Sequence, residues 1–143
     1  MAWSGDVIYY QVWGGYPDLQ WIWPEGGAML WIDNMMVPVG AANPSGALQL
    51  MDWYYQPEIA AGVTEFVFYM SPVPATKEQI IKDAQKAADA GDKALATKLE
   101  ASANNPYLYP DEALLATAYF GREQKTDAEV EEWDSILLPI VES

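Results

Sequence analysis

The chain has 143 residues, 51% hydrophobic and 20% charged, the balance of one globular domain with a core of its own. It contains no cysteine and no histidine, which excludes thiol nucleophiles, disulfides, thiolate or imidazole metal sites and the usual neutral-pH proton shuttle. Seven basic against 21 acidic residues give a formal net charge of −14, which disfavours nucleic acid and anionic membrane as partners and admits a cationic one.

Along the chain, Trp3 to Val12 reads as a short loop and then a β-rich run (Val7, Ile8, Tyr9, Tyr10, Val12), turned by Gly14, Gly15 and Pro17. A second extended run, Leu19 to Trp23, stops at Pro24-Glu25-Gly26-Gly27. The third, Ala28 to Val39, is apolar apart from Asp33 and Asn34, the pattern of a strand buried on both faces. Asn43 and Pro44 predict an N-cap with proline at N1, opening a helix that lasts to Gln56. Pro57 starts another through Glu65, and Phe66 to Met70 reads as a strand that ends at Ser71-Pro72-Val73-Pro74.

From Thr76 the composition turns to Ala, Lys, Asp and Glu. Thr76 and Gln79 stand in capping-box spacing, Gly91 is placed to end the helix, and a second helix runs from about Asp92 to Ala103. The pair predicts a solvated helical hairpin over 76–105. Asp111 to Phe120 predicts a helix after Pro110. Thr126 and Glu129 predict the cap of a last helix whose Val130, Trp133, Ile136 and Leu137 face should dock on the core.

No apolar run reaches the roughly 20 residues of a membrane helix, and the first residues lack the basic and apolar regions of a signal peptide, so an export signal would have to lie upstream. Residues 1–76 hold seven acids (Asp6, Asp18, Glu25, Asp33, Asp52, Glu58, Glu65), six Trp, six Tyr and two Phe, but no lysine or arginine. An acid in a cleft without a resident cation favours a cation from outside. Gly26-Gly27 lacks the Lys-Ser/Thr of a phosphate loop. The paired acids Asp111-Glu112 and Glu131-Glu132 have no base, metal or nucleophile beside them. Neither catalytic apparatus nor a cofactor site is legible, so an enzyme is not expected.

Four stretches together resemble the polyamine-binding proteins of the spermidine/putrescine ABC transporters, within the two-lobed periplasmic binding protein superfamily. They are Trp3-Ser4-Gly5-Asp6; Pro24-Glu25-Gly26-Gly27 through Trp31-Ile32-Asp33-Asn34; Val37-Pro38 through Asn43-Pro44 to Gln56-Pro57-Glu58; and Tyr69 before Ser71-Pro72. The resemblance covers roughly residues 3 to 75 closely and the chain's end loosely. It implies an α/β fold, a partial periplasmic-binding-protein (type II) fold with few strands and about five or six helices. In that fold 1–75 would form a ligand-cleft segment spanning both lobes, 76–105 a hairpin insertion, and 106–143 carboxyl-terminal helices packed on the core. It further implies that Trp3 and Trp31 offer aromatic faces to the ligand, that Asp6 and Asp33 receive its ammonium ends, and that Tyr69 adds a wall or hydroxyl.

An ammonium on an aromatic face gains about 0.5–2 kcal/mol. A charge pair at 4 Å and effective dielectric near 20 gains about 4 kcal/mol before desolvation. Carboxylates should thus place the amines while the rings sheathe the methylenes. The expected partners are a polyamine or related organic cation and the permease subunits of an ABC importer, in an extracytoplasmic setting. Most of the first lobe and half of the second have no counterpart here, nor is the family's polar ligand contact near the carboxyl end assigned, Gln124 being the one candidate. Two other classes stand as alternatives: an interaction or self-association module using the exposed aromatic surface, and a carbohydrate-binding domain, since Trp platforms also stack on sugars.

Overall fold

In a computed structural model, residues 2–121 and 126–141 are described. The elements are α1 (Ser4–Val12), β1 (Met29–Leu30), α2 (Pro44–Tyr54), α3 (Pro57–Val67), α4 (Thr76–Asp89), α5 (Lys93–Ala103), α6 (Glu112–Leu115), β2 (Tyr119–Phe120) and α7 (Asp127–Val141). The fold is mostly helical, with one two-stranded parallel sheet in which Met29 pairs with Tyr119 and Leu30 with Phe120.

Capping chemistry sets most of the helix starts. Asn43 accepts a hydrogen bond from the Gly46 amide at 3.0 Å, with Pro44 at the first helical position. Asp92 accepts from the Leu95 amide at 3.0 Å, Asp111 from Leu114 at 2.8 Å, and the Thr126 hydroxyl from Glu129 at 3.2 Å. Each satisfies one of the amides that a helix start leaves without an internal partner. Gly91, at φ +85°, supplies the left-handed residue after α4. The expected capping box at Thr76 does not form. Ala75 is the N-cap, the Thr76 hydroxyl donates to Ser71 Oγ at 2.9 Å, and the Gln79 amide donates to both Asp83 oxygens at 3.1 Å.

The strand expectations are mostly overturned. Val7 to Val12 is helical, because Gly5, Ile8 and Val12 share one side of a helix and bury it, with Ile8 joining Phe68 and Leu108 in a core cluster. Burial overrides the β propensity of these residues. Leu19 to Trp23 pairs with no strand. Its indoles instead tie it down, Trp21 against Tyr107 at 4.9 Å between ring centres and Trp23 Nε1 donating to Thr117 Oγ1 at 2.9 Å. Of Ala28 to Val39 only Met29 and Leu30 are strand, and the rest is irregular chain, exposed apart from half-buried Ala28 and Val37, with Met36 at 82%. Phe66 and Val67 close α3 rather than opening a strand. The helix expected over Asp111 to Phe120 is four residues long, then gives way to β2.

The hairpin of α4 and α5 has a solvated outer face, yet its inner face is the main core. Ile80, Ala84, Leu99 and Ala103 pack there with Ala61 of α3. The small alanines let α4 approach both α3 and α5 closely, and α1 lies against α3 and α5. Lys98 reaches from α5 over the Trp13 ring, 4.1 Å from its centre, a cation–π contact that fastens the end of α1. The α7 side expected on the core is open: Val130, Trp133, Ile136 and Leu137 are 42–56% exposed.

Candidate binding site

The start of α1, the end of β1 and the end of α3 converge. Trp3 is the N-cap of α1, in extended conformation. Trp31 follows β1 directly. The two rings meet edge to face, 5.5 Å between centres and 73° between planes. Tyr69 joins on the other side of Trp31 at 5.4 Å and 62°. Such edge-to-face geometry matches the electron-rich face of one ring to the positive edge of the next.

Tyr69 reaches this place because α3 ends abruptly. Phe68 takes φ 57°, ψ 34°, left-handed for a bulky residue, while its own ring is buried with Ile8 and Leu108. That backbone costs about 1–2 kcal/mol, and burial of the ring holds it in place. The turn lays Tyr69 across the first turn of α1, where a Cβ on Gly5 would stand 2.7 Å from the tyrosine ring and 2.8 Å from the Phe68 carbonyl oxygen. Only glycine fits there.

Asp6 lies in the first turn of α1, where a negative charge is favoured by the helix dipole. Its charge is felt at Tyr69: the tyrosine hydroxyl is raised above its ordinary value first by burial and second by Asp6. Asp6 is exposed, Tyr69 half-buried, and Trp3 and Trp31 are 49% and 42% exposed. Ring faces and a carboxylate are therefore accessible from solvent.

Four of the five residues singled out by the sequence (Trp3, Asp6, Trp31 and Tyr69) are thus brought together. Asp33 is not tied to them by any contact. It stands two residues beyond Trp31 on exposed chain, so the reason given for it, a carboxylate trapped in a buried strand, does not hold. None of the seven acids of residues 1–76 has an ion-pair partner among the described residues. The hairpin lysines turn to rings instead, Lys98 to Trp13 and Lys77 to Tyr109. Gln124 lies outside the described residues.

Sequence reasoning missed Gly5, whose part is to make room for Tyr69, because a close approach between segments 64 positions apart leaves no local signal. Two open hollows lie away from the ring cluster, one lined by Tyr10, Tyr16 and Asp18, the other by Trp23, Glu25, Tyr109 and Asp111. Among the described residues no group of acids is arranged to hold a metal ion, and no helix is long and apolar enough to cross a membrane.

The sequence pattern of bacterial extracellular solute-binding proteins matches residues 1–100, and the chain belongs to that family. The spermidine/putrescine-binding periplasmic proteins of Salmonella typhimurium and Escherichia coli are 32% and 31% identical to this chain over 78 residues, 54% of its length. The match covers 22% of each of those relatives, about a fifth of their length. No solved structure matches the chain.

Proposed function

We propose that the chain is part of an extracytoplasmic, type II binding protein that captures a polyamine or similar organic cation and passes it to the permease of an ABC importer, without catalysis. In this reading residues 1–75 line the ligand cleft, the hairpin of 76–105 is an insertion that buttresses it, and 106–143 complete the segment. Trp3, Trp31 and Tyr69 sheathe the ligand's methylenes, Asp6 receives one ammonium, and Asp33, carried on the open chain after Trp31, receives the other. One observation carries the reading: three aromatic rings in edge-to-face series, with beside them the Asp6 carboxylate, which has no ion-pair partner among the described residues. The names of the two relatives point to the same ligand class.

Because Asp6 and Asp33 are exposed, each ammonium contact here is worth about 0.2–1 kcal/mol, the range of surface ion pairs, and affinity for the isolated chain is low. Calorimetric titration with putrescine, spermidine and a neutral oligosaccharide tests this. The expected result is amine binding that weakens with salt and drops about twofold to fivefold in Asp6→Asn or Asp33→Asn. Oligosaccharide binding indifferent to salt and to both substitutions would replace the reading with a sugar-binding one.

A second reading, self-association, is favoured by the open apolar side of α7, where Trp133, Ile136 and Leu137 stand exposed with no element covering them among the described residues.

A further inference from the structure

The seam between α3 and α5 contains a polar junction that the binding site does not use. Glu65, in the last turn of α3, accepts one hydrogen bond, from Ser102 Oγ of α5 to its Oε2 at 3.2 Å. Its other oxygen, Oε1, is sealed from solvent and has no partner, and the Tyr109 hydroxyl is sealed and unpartnered in the same way. Tyr109 packs against both core clusters, the one under the hairpin and the one around Phe68. Two orphaned polar atoms, one of them on a residue that packs against both cores, call for a reason, since a sealed polar atom without a partner is destabilising.

The groups around the carboxyl are few. From α5 comes the Ser102 hydroxyl, and from the segment after it comes Tyr109. From α4 comes Lys77, whose Nζ sits over the Tyr109 ring, 5.4 Å from its centre, rather than on the carboxylate. No lysine or arginine pairs with Glu65 among the described residues. A half-buried carboxylate with one sealed oxygen, one hydrogen bond and no cation is poorly stabilised as an anion, whereas the neutral acid is tolerated.

We propose that Glu65 is a proton-sensitive latch on this seam: as a neutral acid it holds α3 against α5, and once ionised it favours their separation. Burial pushes its carboxyl from 4.5 up to about 7, the Ser102 hydrogen bond opposing in part. The Tyr109 hydroxyl is pushed up to about 12, by burial first and then by the Glu65 charge. The folded chain thus keeps a proton that the unfolded chain has lost. Stability from this group is full below pH 4.5, falls as pH rises through about 7 and is level above it. The latch lies one turn before Phe68 and Tyr69, so a loosened seam acts directly on the end of α3 that presents Tyr69.

The inference does not depend on the ligand and is tested without one. Urea unfolding of the full chain is followed from about pH 5 to about pH 8. After discounting for partial exposure, the unfolding constant is expected to rise about tenfold across this range, and in Glu65→Gln the rise is expected to vanish. An equal rise in both proteins overturns the latch. Carboxyl-carbon NMR of Glu65 in the unsubstituted chain decides independently if the variant does not fold: a midpoint near 7 sustains the proposal, and one near 4.5 ends it.

Discussion

At the scale of single residues, the link between Asp6 and Tyr69 is the most direct measure of whether the site is assembled. Burial is the larger cause of the raised tyrosine hydroxyl and the Asp6 charge the smaller, so removing the charge should bring only part of the shift back. In Asp6→Asn the Tyr69 midpoint, read by NMR of the labelled ring carbon, is expected to fall toward 10.0 without reaching it. No movement would mean that the first turn of α1 does not sit beside Tyr69. Trp3, Trp31 and Tyr69 were singled out by the family resemblance alone, since residues 1–76 hold fourteen aromatic residues and composition does not choose among them. Asp33 was carried over from the same resemblance and supported by a buried strand, of which only Met29 and Leu30 form. Gly5 and the left-handed Phe68 were not legible, since both answer to contacts between remote segments.

Among the elements, those governed by local chemistry followed the sequence. The Asn43–Pro44 start, the Pro57 start, Asp92 and Gly91 are each decided within four residues of themselves. Strands require a partner elsewhere in the chain, and the apolar runs at 7–12, 19–23 and 28–39 found none, apart from the two-residue pairing of β1 with β2. The hairpin's polarity hid its role, because Ala84 and Ala103 contribute to a core by being small, while Ile80, Leu95 and Leu99 are few large residues among many charges. The energetic consequence is specific. Ile80, 1% exposed, should cost about 2–5 kcal/mol when cut to alanine. Ile136 of α7, 56% exposed, should cost less than about 0.5 kcal/mol. Urea unfolding of the two variants checks the ranking, and a larger loss at Ile136 would mean that α7 is packed in solution.

For the whole molecule, the two readings of its surface respond to salt in opposite directions. Two copies each carrying −14 repel one another, and screening, with a Debye length of about 10 Å at 0.1 M salt, weakens that repulsion while leaving apolar contact between α7 faces intact. Self-association should therefore strengthen as salt rises, and capture of an organic cation by Asp6 and its neighbouring rings should weaken. Sedimentation at about 0.05 M and about 0.5 M salt, run alongside the amine titration, separates the two effects within one preparation. Trp133→Ala is expected to reduce association at high salt and to leave amine binding unchanged, because Trp133 lies on α7 and the ring cluster is built from α1, β1 and α3. Association that tightens at low salt, or that ignores Trp133→Ala, would remove the α7 face as its cause. The acidic charge would then have to be countered across the contact by the hairpin lysines rather than bypassed by apolar burial.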